Sequence, residues 1–285
     1  MGFINRLRRK PPEDDAGLRV LPEASNIPIL KVDQVERIVA NAELMAALHF
    51  RHGTMPNYEN VLRVGYERLI KPGDTVIDVG AHVGDHTSAF CDLVGSEGKI
   101  IAFEPLPDVF LKLQGNITSP NATLINACLS DKAGRVSFVH ARGMPSESGM
   151  RQRIYNHPDI ADPVNIEVDA MRLDDWVDKV TNLSFIKIDV EGGEMSVLGG
   201  AEDMLSKFRP ILSVEYGFQG YSVYGHQKRS LWDFAEARGY ILGDLFGAPC
   251  HSPETWDLVC GRSYWDFYMI PKEKAKEWSA AVGGV

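Results

Sequence analysis

The sequence predicts an α/β fold built on a doubly wound, mostly parallel sheet. Three observations predict it. Short apolar, β-rich runs alternate with helix-patterned segments from residue 75 onward. The first run, 75–80, passes through a glycine turn, Gly80-Ala81-His82-Val83-Gly84, straight into a helix start at Asp85. Several runs end in an acid, at Glu104, Asp189 and Glu215, which a parallel sheet would gather at its carboxyl edge, where such sheets bind ligands.

The elements follow in order. Val32, Val35, Ile38, Val39, Ala42, Met45 and Leu48 recur near the helical period over 31–50. Val61, Leu62, Val64, Leu69 and Ile70 do so over 58–70, before Pro72-Gly73-Asp74 turns the chain into the first strand. A helix over 85–94 stops at Gly95, a strand follows at 99–104, and Pro107 suits the first turn of a helix over 107–117. A strand at 122–127 precedes two β-like segments, 135–139 and 165–168, separated by a loop rich in Gly, Pro, Ser and His. Then come a strand at 183–189, helical segments across 194–207, a strand at 211–216 and a helix over 227–238. Short strands near 240–245 and 264–270, with no strong helix between them, predict an antiparallel edge pair.

The domain reading is a disordered tail at 1–17, a helical extension at 18–71 and the main domain at 72–285. The tail is charged and proline-containing, basic first and then acidic. Its rival reading is a basic anchor for a membrane or partner. Residues 1–10 lack the apolar core of a signal peptide, and Arg6 stands where myristoylation wants Ser or Thr. A net charge of −9 argues against a broad nucleic-acid footprint. No apolar run reaches the ~20 residues that span a bilayer. Cys91, Cys128, Cys250 and Cys260 form no C-x-x-C and read as reduced thiols of a cytoplasmic protein.

Three places carry chemistry. Gly80 and Gly84 flank a turn suited to close backbone approach by a nucleoside, and Glu104, 20 residues beyond Gly84, stands where an acid takes ribose hydroxyls. Asp78 suits a cationic amino group, and Leu106 an adenine face. His82 and His86 lie near the turn. The G-x-G-x-x-G of dehydrogenases is absent. The third place is Asp189-Val190-Glu191-Gly192-Gly193-Glu194 with Glu215, whose acids suit proton transfer or a hard metal ion. The plainer alternatives are an ordinary strand–helix turn, an acid complementing a helix N-terminus at Glu104, and helix capping by Glu194.

These segments resemble the FkbM family of S-adenosylmethionine-dependent methyltransferases. The resemblance rests on residues 72–84, on Ala102-Phe103-Glu104-Pro105 and on residues 186–194, supported by residues 126–131, 173–176 and 210–215. It spans roughly 57–270; His82 stands where the family is expected to carry Asn. The resemblance implies a class I, Rossmann-like methyltransferase sheet of seven strands with an antiparallel edge, and O-methylation of a sugar, glycan or polyketide-type hydroxyl. It implies a cofactor shell of Asp78, Gly80, Ala81, His82, Gly84, His86, Thr87, Glu104, Pro105, Leu106, Asn126 and Ala127 around S-adenosylmethionine. Asp189, Glu191 and Glu215 are the catalytic candidates and, should Mg²⁺ take part, its candidate ligands. The partner expected is a small-molecule or glycan acceptor rather than nucleic acid, with self-association left open. Two rivals stand beside this reading: a non-catalytic cofactor-binding partner protein and a nicotinamide-dependent oxidoreductase.

Overall fold

The first strand, β1 (Thr75–Val79), is buried at all five positions, as a strand covered on both faces must be. The structure is a computed structural model and describes residues 36–53 and 56–283. The tail expected at 1–17 and the start of the first helix expected at 31–50 lie outside the described residues. Before β1 come α1 (Arg37–His52) and α2 (Tyr58–Glu67), the latter capped by Asn57, whose side chain accepts from the Asn60 N–H at 3.0 Å. After it come α3 (Asp85–Val94), β2 (Lys99–Phe103), α4 (Pro107–Asn116), β3 (Ala122–Ile125), β4 (Cys128–Leu129), β5 (Gly134–Ala141), α5 (Pro158–Ala161) and β6 (Pro163–Met171). The chain continues through β7 (Leu183–Ile188), α6 (Glu194–Gly199), α7 (Glu202–Phe208), β8 (Ile211–Glu215), α8 (Phe218–Tyr221) and α9 (Ser230–Ala237). It ends with β9 (Tyr240–Gly243), α10 (Pro253–Val259), β10 (Asp266–Pro271) and α11 (Ala275–Gly283).

Seven strands form one sheet in the order β3-β2-β1-β7-β8-β10-β9. β1, β2, β3, β7 and β8 run parallel, and β10 runs antiparallel to both β8 and β9. This is the class I methyltransferase sheet, with its switch point between β1 and β7. The reversal of β10 has a consequence for the site: its first residue, Asp266, lies opposite Glu215, the last residue of β8. Alternation sends successive side chains into different clusters. Ile77, Ile186 and Leu212 pack on one face, Val76, Phe185 and Ile100 on the other.

The structure departs from expectation in three places. The strand expected at 122–127 ends at Ile125; the chain then joins a second sheet, β4-β6-β5, in which β5 and β6 pair over eight residues. The segment expected as a loop between them folds back, with a bridge between Val139 and Gly149. There the Glu147 carboxylate accepts from the Asn156 side chain at 2.8 Å. The helical segments expected across 194–207 are α6 and α7, which part at Gly200, where a Cβ would meet the Ser130 carbonyl. α10 and α11 escaped the periodicity reading because each is short; α11 buries only Trp278 and Val282. Among the described residues no helix is long and apolar enough to cross a membrane, and all four cysteines are unpaired and buried.

Candidate active site

The carboxyl edge of β1, β2, β7 and β8 opens into a cleft of about 750 Å³. Its first half is the glycine turn. Gly80 and Ala81 both donate their N–H to the Phe103 carbonyl, at 3.0 and 2.9 Å, which ties the turn to the end of β2. Gly80 has φ 85°, and a Cβ there would lie 1.8 Å from the Asp189 carbonyl oxygen. Gly84 has φ 98°, and a Cβ there would press on the side chains of Leu113 in α4 and of Ile117 just after it. Gly80 is required by the close packing of β1 on the β7 turn, and Gly84 by its left-handed backbone.

Asp78 is 1% exposed. Its Oδ2 accepts from the Thr87 hydroxyl at 2.6 Å; its Oδ1 is buried and has no hydrogen-bond partner among the described residues. A bare carboxylate oxygen in a cleft is an unpaired acceptor awaiting a donor. Glu104 accepts from the His82 N–H at 3.0 Å and from the Leu106 N–H at 2.8 Å. Burial pushes its carboxyl up to about 7, against the two backbone hydrogen bonds that favour the anion. Leu106 packs with Val109, Cys128 and Phe138 as an apolar wall.

Of the expected cofactor shell, Asp78, Gly80, Ala81, His82, His86, Glu104, Pro105, Leu106 and Ala127 line the cleft. Gly84, Thr87 and Asn126 stand behind it: Thr87 holds Asp78, and Asn126 donates to the Glu104 and Pro105 carbonyls at 2.8 and 3.1 Å. His86 lies between the Tyr66 hydroxyl, 3.0 Å from Nδ1, and Glu59, 2.7 Å from Nε2.

The second half gathers Asp189, Glu191 and Glu215, with one oxygen of each within 4.8 Å of the others. The acids are not alone. Lys187 is 3% exposed and donates to Asp189 Oδ2 at 2.7 Å. Burial alone would lower its pKa; the charges of Asp189 and Asp78 outweigh that and hold the ammonium above its ordinary range. Burial would likewise raise Asp189, but Lys187 wins and keeps it below the usual carboxylate range. Burial and the Asp189 charge push Glu215 well above. Glu191 pairs with Arg153, which the β5–β6 connection delivers. Asp266, opposite Glu215, is pushed up to about 7 by burial and by Asp189.

Glu194 is not part of this group. Its Oε1 accepts from the Gly192 and Val190 N–H groups, at 2.9 and 3.3 Å, so it staples the turn. That turn holds Glu191 at φ 59°, an unfavourable backbone for a residue with a Cβ. Sequence reading missed Lys187, Arg153, Asp266 and Glu59. Only Lys187 carried a signal, a charge inside the otherwise apolar run Phe185-Ile186-Lys187-Ile188.

Comparison with known proteins gives the family. The chain is 28% identical over 163 residues to the 2-O-methyltransferase NoeI of Sinorhizobium fredii, covering 53% of this chain and 66% of that protein. It is 29% identical over 171 residues to the 31-O-demethyl-FK506 methyltransferase FkbM of Streptomyces tacrolimicus, covering 50% and 64%. It is 26% identical over 159 residues to ribosomal RNA large subunit methyltransferase E of Methanothermobacter thermautotrophicus, covering 50% and 66%. The matches thus span just under two thirds of each relative. The model of the methyltransferase FkbM domain matches residues 78–242, from the Asp78 strand to β9. That match takes in more than half of the 285 residues, and the chain belongs to the FkbM methyltransferase family.

Proposed function

We propose that the chain transfers a methyl group from S-adenosylmethionine to a hydroxyl of a sugar, glycan or polyketide-type small molecule. The observation that carries the reading is the bare Asp78 Oδ1, buried in the same cleft whose other wall holds Asp189 and Glu215. The residues fit the cofactor. Asp78 offers an anionic acceptor to its α-ammonium, Glu104 has lone pairs free for its ribose hydroxyls, and Leu106 offers an apolar face to its base. Bound there, S-adenosylmethionine supplies a methyl group on a sulfonium, activated for displacement. Residues 72–285 serve as the catalytic domain, with the helices at 36–71 as its extension.

Asp189 orients the acceptor hydroxyl by accepting its hydrogen bond. Its low pKa does not disqualify it. A hydroxyl that is gaining a methyl group becomes a strong acid, so a weak base suffices if it is ionised and in place. Lys187 keeps it ionised, and Arg153 holds Glu191 beside it. Burial and the neighbouring Asp189 charge push the Glu215 carboxyl well above its ordinary range. Two cations already face these acids, so the reading needs no Mg²⁺.

Two relatives are named as O-methyltransferases, which supports oxygen as the acceptor atom. Another is named as acting on ribosomal RNA. The net charge of −9 and the acid-lined cleft favour a small acceptor over RNA. The four unpaired thiols favour a cytoplasmic setting.

The test pairs calorimetry with methyl transfer. S-Adenosylmethionine should bind, and Asp78→Asn and Glu104→Ala should each weaken binding by ~1–3 kcal/mol. Labelled methyl should pass to hydroxylated small molecules and not to ribosomal RNA fragments. Unchanged affinity in both variants, or transfer to RNA alone, would sink the reading.

A further inference from the structure

A second cavity of about 940 Å³ adjoins the first, and both are lined by Glu59 and Glu215. Its walls come from the end of α1 (Ala46, Phe50), from Tyr58 and from Tyr264, Trp265 and Asp266. A ligand seated here would reach Glu215 and, beyond it, Asp189.

Three features describe what the cavity would take. Aromatic faces line it: Phe50 is 91% exposed, and Trp265 lies so close to Gly217 that a Cβ there would meet the indole at 2.9 Å. Tyr264 also lines it, 2% exposed, and its buried hydroxyl has no hydrogen-bond partner among the described residues. Acids outnumber bases in the lining: Glu43, Glu59, Glu215 and Asp266 against Arg262 and His49. Glu43 pairs with Arg262 at 3.0 Å and Glu59 with His86 at 2.7 Å. Glu215 and Asp266 face each other across the β8–β10 pair, and neither joins an ion pair among the described residues. Two carboxyls directly opposed on neighbouring strands resist ionising together, and a cation between them would stabilise both as anions.

We propose that this cavity seats the methyl acceptor, and that the acceptor is an amino sugar. Its ring lies against the aromatic walls and its ammonium lies between Glu215 and Asp266. A uronate or a phosphodiester would meet those same carboxylates and be repelled. The proposal rests on the methyl-transfer reading above and narrows its acceptor.

Three matched methyl glycosides test it: a glucosaminide, a glucoside and a glucuronide. Each is titrated against protein saturated with S-adenosylhomocysteine by saturation-transfer NMR, then offered as acceptor with S-adenosylmethionine. The glucosaminide should bind and react best and the glucuronide worst, with roughly tenfold or more between them, the span of one charged hydrogen bond. Asp266→Asn should bring that ratio to within about threefold, while S-adenosylhomocysteine affinity, read by calorimetry, shows the variant folded. Phe50→Ser, at an exposed position, should weaken all three glycosides together and leave their ratio unchanged. The proposal falls if the glucuronide matches the glucosaminide, if Asp266→Asn leaves the ratio intact, or if no glycoside binds although S-adenosylmethionine does. Failure of S-adenosylmethionine itself to bind would instead bring down the reading beneath it.

Discussion

The two halves of the cleft are built by different means. In the cofactor half, groups close by hold the acids: two backbone N–H groups hold Glu104, and the Thr87 hydroxyl, nine residues on, holds Asp78. In the acceptor half, side chains from distant elements hold each other: Lys187 on Asp189, Arg153 on Glu191, His86 on Glu59. The first half is a local motif whose geometry follows from one strand–turn–helix unit. The second exists only after α2, the β5–β6 connection, β7, β8 and β10 have converged. The difference teaches that the first half should tolerate changes in the acceptor wall, whereas the second should respond to any member as a group.

The largest expected effect breaks the halves apart. Asp189→Asn should lower single-turnover methyl transfer by about 10²–10⁴, while cofactor affinity stays within a few-fold. Exhaustive chelation should leave the parent rate unchanged, because Lys187 and Arg153 already neutralise the acids. Equal loss of affinity and rate in Asp189→Asn would erase the division between the halves. A rate that falls on chelation and returns with Mg²⁺ would give Asp189, Glu191 and Glu215 to a metal.

The next effect joins them. Gly80→Val places a Cβ where the Asp189 carbonyl stands and forces a β-branched residue to φ 85°. The turn and the acid must then move together, so the variant should lose ~3 kcal/mol or more of stability, together with cofactor affinity and turnover. Thermal unfolding and calorimetry on the same sample decide it. A stable Gly80→Val protein that binds normally would show that the turn does not rest on the β7 loop.

Legibility in the sequence follows the same division. β1, the glycine turn, β2 and Glu104 lie within one continuous stretch, and short apolar runs around a glycine turn, the second ending in an acid, expose them. Asp78 and Glu104 were therefore readable with their positions. The packing of Gly80 against the β7 turn was not, since a close backbone approach looks the same in sequence whether the neighbour is a ligand or another strand. Glu215 was readable as a strand-terminal acid. Its partner Asp266 was not, because only the antiparallel insertion of β10 between β8 and β9 brings the two together. Arg153 sits in a segment with no periodic pattern, so nothing local announced its pairing with Glu191. Glu194 looked like a third acid of the site; its side chain turns back to the Val190 and Gly192 N–H groups, a local hydrogen bond that spacing alone does not distinguish from a catalytic position.

The smallest effect sharpens the comparison through pH. Burial pushes both Glu104, in the cofactor half, and Glu194, under the acceptor half, from 4.5 to about 7. An acid raised on folding binds its proton more tightly in the native state than in the unfolded chain. Its stabilising share is complete below about pH 4.5 and is lost as pH rises toward 7. Thermal stability should therefore fall across that window, opposite in sign to Glu273, whose Arg209 partner holds it at about 2 and whose share is lost only under stronger acid. Glu194→Gln keeps the oxygen that accepts from Val190 and Gly192 but cannot ionise. It should match the parent at pH 5 and exceed it at pH 7.5 by ~1–3 kcal/mol, with cofactor affinity unmoved. Glu104→Gln should flatten the stability profile in the same way, and in addition lose the rise in cofactor affinity expected of the parent from pH 6 to 8, because ribose hydroxyls donate best to the anion. Melting curves and calorimetry at matched pH separate the two acids. An affinity profile that stays pH-dependent in Glu104→Gln and flattens in Glu194→Gln would reverse the assignment, placing the cofactor against the β7 turn rather than against the end of β2.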